Sequence, residues 1–530
     1  MPSPDHSFGA PIQSTPPLPV HSASQTHETH DCEKHADSPL PFATTVQPPP
    51  PRGKTRLASA FFAYFVLGWG DGVTGTLLPH FKSDLHLSFL LSSLFWVASA
   101  SGYALGTAIV EHITRILGRT RFLNGSVSSA IGFPLPSRGP SEKIQSSTIG
   151  FSRSRSRFHT LVLASVLHAV FFAIMGSERG FASMMIAYVI SAFARSFVAA
   201  TLNVYVPFVA KGGLGFLYGF NSVGSFVAPL VCQSIIATGI RWANFYFGSL
   251  VLSALNTSFI IYAFWPTQSE LKGDAELASQ LYRTAVAASD VASSFVVATP
   301  ERSPTSSTAP IVRKKEALGP RSESFRGSSP HHTAGYTVAL KNLQMWAAAV
   351  FACIYSGSES ATQGFIVVYL LGSRHANPNT VGYVTSGFWG GMAISRFVWG
   401  YLGNIITFRQ RKWIVQACIF VAFVMHLLIL LVPSFVENAI STAVIGAVYG
   451  PIFPSNLDSA RDLLPTEIHL VSLAVIAACA SFGAALFPFI AGLLSTSVGA
   501  NTLPYITIAQ TVTMSLIWFV LPSRLPTNQN

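Results

Sequence analysis

Charge is what this chain has least of: Asp, Glu, Lys and Arg make up 10% of its 530 residues, against about 25% in ordinary soluble domains. That deficit excludes a conventional water-facing fold. Acids are the scarcer sign, 22 against 33 Lys and Arg, but a nucleic-acid binder would carry its basic excess on a soluble fold. No nucleic-acid partner is expected. Cysteine is nearly absent at 5 residues, and Cys232, Cys353, Cys418 and Cys479 fall in apolar stretches, where a thiol packs like any small hydrophobe. No disulfide framework follows. A zincin His-Glu-x-x-His and a phosphate loop are also missing, so zinc proteolysis and ATP-driven pumping have no chemistry to run on. The polar, Pro-rich start, running to about residue 50, is expected to hold no cleavable signal peptide.

What the chain does have is apolar length, with 50% hydrophobic residues. Windows of bilayer-spanning length place twelve spans, near 57–79, 90–112, 159–176, 181–205, 213–237 and 243–265, then 342–371, 379–404, 412–432, 436–457, 468–494 and 501–521. With both termini inside, the loops assigned outside hold only Lys82, Arg179, Arg241 and Arg374, and most other basic residues lie on inside segments and span flanks. This is the charge bias that orients membrane proteins. The expected organisation is a cytosolic tail at 1–56, a six-helix bundle at 57–265 with a cytosolic insertion at about 119–158, a cytosolic linker at 266–338, a second six-helix bundle at 339–522 and a cytosolic tail at 523–530. The bilayer in question is the plasma membrane or an internal membrane.

The first tail and the linker are rich in Ser, Thr, Pro and Ala and are expected to be largely disordered. Residues Leu271 to Val297 read either as solvated linker or as a short amphipathic helix. His27, His30, Cys32 and His35 have a spacing a metal could use, but such groups gather in tails by chance. No metal or cofactor is expected.

Two acids sit inside apolar stretches 288 residues apart: Asp71 in Leu-Gly-Trp-Gly-Asp-Gly-Val-Thr-Gly and Glu359 in Tyr-Ser-Gly-Ser-Glu-Ser-Ala-Thr-Gln-Gly. An ionisable group in a span costs roughly 2.5 to 3.5 kcal/mol or more, so it is paired, water-facing and usually functional. The matched placement points to a duplication, and other echoes keep chain order. Gly102-Tyr-Ala-Leu-Gly106 answers Gly391-Met-Ala-Ile-Ser395, Leu202-Asn203-Val204 answers Ser455-Asn456-Leu457, and Ser222-Val-Gly224 answers Ser481-Phe-Gly483. The offset falls from 289 to 253 between the first two echoes, which places extra residues in the loop from roughly 119 to 158. That loop is either a tolerated insertion or an intron retained in the gene model.

The expected fold class is an all-α membrane protein of twelve transmembrane helices in two pseudo-symmetric halves, and this plan resembles the major facilitator superfamily. The strings Trp69-Gly-Asp-Gly-Val-Thr-Gly-Thr-Leu-Leu-Pro79, Glu359-Ser-Ala-Thr-Gln-Gly-Phe-Ile-Val-Val-Tyr-Leu370, Tyr449-Gly-Pro-Ile-Phe-Pro454 and Ala484-Ala-Leu-Phe-Pro-Phe-Ile-Ala-Gly492 look like a fungal branch near the fucose and hexose proton symporters. The resemblance implies a secondary carrier with its solute path between the halves at mid-membrane. It implies proton symport and a sugar-like solute first, with facilitative uniport, an organic-anion carrier or a non-transporting solute receptor as alternatives. The superfamily's loop motif survives only as Thr114-Arg-Ile-Leu-Gly-Arg119 and Gly400-Tyr-Leu-Gly-Asn404, with its acid replaced by Arg115 and Asn404. The fourth span offers Arg195 where fucose-type symporters carry a second acid.

Asp71 and Glu359 are the proton-coupling candidates, because a carboxylate that alternates between desolvation and a nearby cation gains and loses a proton. The plainer reading is a static Asp71 pair with Arg195 or Arg396 that holds helices together. Arg195, Asn203, Asn221, Gln363, Trp389, His426 and Asn456 are candidate cavity residues that could equally cap or pack a helix. Arg195 reads as counter-ion to the acids or as ligand for an anion. Gly102 with Gly106 and Gly387 with Gly391 have the small-residue spacing of close helix packing, while Pro229 and Pro488 are expected to bend their helices. An enzyme is not expected: Gly68-Trp-Gly-Asp71 matches a string of intramembrane aspartyl proteases, but the Tyr-Asp pair that holds their second acid occurs nowhere in the chain.

Overall fold

The computed structural model describes residues 52–123, 147–210, 213–280, 284, 340–403, 405–465 and 468–522. The histidine and cysteine cluster of the tail, the middle of the insertion and most of the linker lie outside the described residues. Twelve helical segments follow one another in the expected order. The first is two helices, Gly53–Gly72 and Thr74–Asp84. The next five are Phe89–Leu117, Arg153–Gly176, Phe181–Val209, Gly213–Ala237 and Ala243–Phe264. The second half runs Leu343–Arg374, Tyr383–Leu402, Phe408–Leu431, a tenth segment made of Phe435–Tyr449 and Ile452–Leu463, then His469–Val498 and Leu503–Val520.

Among the described residues nine of these segments are long and apolar enough to cross a membrane by length and composition alone. The first, seventh and eighth fall short, and they carry Asp71, Glu359 and Arg396. Intramembrane charge and weak hydropathy therefore coincide. The tenth segment breaks at Gly450 and Pro451, where proline removes a backbone donor and clashes with the preceding turn. The Tyr355 hydroxyl donates to the Tyr449 carbonyl in that broken turn at 3.0 Å. Helix starts follow the sequence: Ser88, Ser152, Asn342 and Ser434 cap theirs through side-chain oxygens, and Thr407 with Gln410 forms a capping box.

Packing shows the duplication directly. The first span packs on the fifth and sixth, the second on the fourth, and the third on the fourth and sixth; the seventh to twelfth repeat this pattern pair for pair. The echoed glycines sit at the equivalent crossings. A Cβ at Gly224 would run into the Phe65 carbonyl, and one at Gly483 into that of Cys353. Gly102 meets the Val189 carbonyl, Gly106 the Ser196 hydroxyl and Gly391 the Ala443 carbonyl, all within their own half. The small-residue spacing is thus explained without a second copy of the chain. Gly483→Ala is expected to cost about 1–3 kcal/mol through overpacking. Gly248→Ala, with nothing within 4 Å of the added methyl, is expected to be silent in the same thermal-unfolding comparison of detergent-solubilised protein. Helices continue through Pro229 and Pro488.

Two features edge the bundle at its terminal end, the one that holds residues 52 and 522, the first and last of the described residues. The insertion's flanks pair as an antiparallel ladder, β1 (Arg119–Leu123) against β2 (Ser147–Phe151), which brings the ends of the intervening loop together. A helix at 268–280 opens the linker. Asp274 accepts from the Ser152 hydroxyl at 2.7 Å and the Ser154 amide at 3.1 Å, and Glu270 pairs with Arg56, one bond of which is 2.7 Å. Burial raises the Glu270 carboxyl, but its bonds to Arg56 and Thr267 outweigh that and hold it below its ordinary value. The linker therefore begins as an anchored helix, because its acids meet a buried guanidinium and a helix N-terminus.

Candidate functional site

A cavity of about 660 Å³ lies between the halves, lined by Asp71, Arg195, Glu359, Gln363, Trp389 and Arg396 among others. Each carboxylate has its own cation. Asp71, at the end of the first half of its broken span, pairs with Arg195 of the fourth span. Glu359 stands 3.6 Å from Arg396 of the eighth span. The acids occupy equivalent places in the repeat, but their cations do not, since the fourth span's counterpart is the tenth and the eighth span's is the second. Of the two static pairings open to Asp71 in the sequence, geometry selects Arg195 and leaves Arg396 to Glu359.

The two pairs also differ in access to water. The Asp71 and Arg195 side chains are 33% and 28% exposed, against 17% and 12% for Glu359 and Arg396. A partly exposed pair is cheap to open, whereas a buried one resists losing either partner. Arg195 is further held over the Tyr103 ring, 5.9 Å from its centroid. A third pair, Asp458 with Arg461 at 3.5 Å, sits where the tenth span meets the cavity mouth.

At the end opposite the termini the halves meet tightly. Thr76 Oγ1 donates to the Gly382 carbonyl at 3.3 Å, Gln233 Nε2 to the Pro378 carbonyl at 3.0 Å, and Trp96 stacks on Phe365 at 5.5 Å. Gly75 lies so close to the Gln363 carbonyl that a Cβ there would collide with it. At the terminal end, Pro207, Leu214, Leu457 and Arg461 line the cavity instead. The cavity is closed at one end and bounded at the other by the ends of the fourth, fifth and tenth spans.

The structure brings Asp71, Arg195, Asn221, Glu359, Gln363, Trp389 and Arg396 to this wall. Asn203, His426 and Asn456 lie away from it. Asn203 bridges Tyr64 at 2.6 Å and Tyr218 at 3.1 Å, and Asn456 donates to the Ala348 carbonyl at 3.0 Å. His426 is buried behind the tenth span against the Tyr449 hydroxyl at 3.2 Å. These hydrogen bonds tie helices together, although the buried Asn456 Oδ1 has no hydrogen-bond partner. Sequence reading missed Trp96, Tyr103, Tyr218, Tyr355, Trp399, Asp458 and Arg461, which also line the cavity. Tyr103 stood inside the echoed Gly102 to Gly106 string, and Asp458 and Arg461 followed the echoed Asn456. Aromatic side chains in a span carry no signal that separates a cavity face from a lipid face.

Known proteins share this architecture. Residues 348–530 match the family model described as Major Facilitator Superfamily. A stretch of 196 residues, 36% of this chain, is 24% identical to Bypass of stop codon protein 6 of Saccharomyces cerevisiae and spans 39% of that relative's length. Among solved structures, the E. coli fucose:proton symporter superposes with a TM-score of 0.50 at 12% identity, covering 88% of this chain and 98% of its own. A nucleoside transporter superposes at 0.56 with 11% identity, covering 88% and 99%. At such identities the likeness is one of fold. The second half thus carries the sequence signature of the Major Facilitator Superfamily, and the chain as a whole is a multi-pass membrane protein with the major facilitator fold.

Proposed function

We propose that the protein is a secondary transporter that carries a small polar solute through the cavity between its halves by alternating access, coupled to protons, with a sugar-like solute first. The observation that carries this reading is a cavity between the halves, closed at one end, with a carboxylate from each half beside a guanidinium. A carboxylate so placed changes its proton affinity as its cation approaches or withdraws. With the termini cytosolic, as the basic residues suggest, this conformation offers its site to the cytosol.

Charge balance favours a neutral cargo over an organic anion. Asp71, Glu359 and Asp458 each face Arg195, Arg396 or Arg461, so an anion must displace a carboxylate before a guanidinium can take it. Facilitative uniport and solute sensing without flux remain the competing outcomes. Uptake of a panel of sugars and organic acids, in cells expressing the protein with and without a protonophore, separates them. Sugar uptake that the protonophore abolishes supports the symport reading, indifference to it means uniport, and binding without flux means a receptor.

A further inference from the structure

Arg396 has one partner in each half. Its Nη2 faces Glu359 of the seventh span at 3.6 Å, inside its own half, while its Nη1 donates to the Ser222 hydroxyl of the fifth span at 2.7 Å, across the interface. Ser222 is fully buried, and its hydroxyl donates onward to the Tyr218 carbonyl at 3.2 Å. Among the ion pairs of the described residues, this is the one whose cation also bonds to the opposite half. Asp71 and Arg195, by contrast, lie together in the first half.

The two halves also touch beside the guanidinium, which itself lines the cavity. Next to it, Phe397 packs against Phe220 and Phe216 of the fifth span at 5.6 and 6.0 Å, and Gly215 lies against the Gly400 backbone. When two rigid halves rock against each other, contacts within a half persist and contacts between halves change. Arg396 therefore has one fixed partner and one that depends on the conformation.

We propose that Arg396 is a positioning residue that couples the charge of Glu359 to the relative placement of the halves, through its ion pair with Glu359 and its hydrogen bond to Ser222. The inference rests on the alternating-access reading above. In this conformation the bond to Ser222 is the shorter, so the tie favours the state closed at the end opposite the termini. A negative Glu359 draws the guanidinium back from Ser222. A neutral Glu359 releases it to Ser222 and strengthens the tie. Events at the carboxylate are thereby read out at the interface.

The test uses the full chain with its 5 native cysteines replaced by serine and one reporter cysteine, either Val381→Cys at the closed end, where the valine is 2% exposed, or Leu457→Cys on the cavity wall. Labelling rates with a hydrophilic maleimide report which end is open and need no transported solute. Ser222→Ala is expected to raise labelling at position 381 relative to 457 by roughly tenfold or more, the scale of losing one hydrogen bond to a charged group. Glu359→Gln is expected to move the ratio the opposite way, and the double variant to resemble Ser222→Ala alone. Arg396→Lys, which keeps the charge but gives up the two-pronged reach, is expected to lose the opposition between the two single variants.

A packing defect would shift both variants alike and leave them additive. Same-direction or absent shifts, in a protein whose position 381 is labelled slowly but measurably, overturn the role of Arg396 and leave alternating access intact. A position 381 that is never labelled overturns both.

Discussion

On the proposed symport reading, Asp71→Asn is expected to reduce proton-driven uptake by roughly tenfold or more, while leaving the folded bundle intact. The amide still offers Arg195 an acceptor but removes its counter-charge, leaving the guanidinium in the cavity wall over the Tyr103 ring. Stripping one partner from a fully buried pair costs about 3–5 kcal/mol. Here about a third of each side chain meets solvent, so the cost is discounted for screening to about 1–2 kcal/mol. The larger effect is functional, since Asn holds no exchangeable charge and cannot alternate between proton-bearing and cation-paired forms. Protonophore-sensitive uptake and solute exchange, measured side by side, distinguish the two consequences. Loss of accumulation with exchange retained assigns Asp71 to coupling, whereas unchanged accumulation reduces it to a structural pair.

Gly75→Val is expected to abolish transport by a different route, holding the halves apart at the end opposite the termini. Gly75 belongs to the second helix of the broken first span, and any Cβ there meets the Gln363 carbonyl of the seventh span. Backbone cannot yield as the far end of a side chain can, so the closed state bears the strain. The open state, in which those two helices separate, does not. The population should therefore shift toward the opposite conformation by a factor of ten to a hundred, as about 1.4–2.7 kcal/mol implies. Labelling of a cysteine at position 381 reads the shift. Fast labelling with a normal thermal transition is the expected result, and slow labelling as in the parent protein would mean that the contact relaxes at no cost.

The same residue shows how far the sequence could be read. In the sequence Gly75 is one of several glycines around an intramembrane acid, and nothing in that pattern says that its neighbour is the opposite half. Asp71 and Glu359 stood out because charge in an apolar run is expensive and therefore rare. Arg195 and Arg396 stood out for the same reason, although which would meet which acid was not legible. Asn203, His426 and Asn456 looked like cavity residues because polarity in a span suggests water. In the fold they satisfy tyrosine hydroxyls and a backbone carbonyl behind the wall. The aromatic side of the cavity, from Tyr103 to Trp399, gave no signal, since an aromatic ring suits lipid, core and cavity alike.

By itself the sequence determined the membrane environment, the count and order of the spans, the duplication and the acids on which a transport reading depends. These follow from local properties: apolar length against bilayer thickness, the cost of a buried charge and the recurrence of small residues where helices cross. The tertiary structure alone decided which cation faces which acid, which end is closed, and that Arg396 touches both halves. Those outcomes depend on the rotation and offset of helices that are far apart in the chain, as with Ser222 and Arg396, 174 positions apart. A periodic pattern specifies that a helix has an inward face, but only the packed neighbour specifies what that face meets.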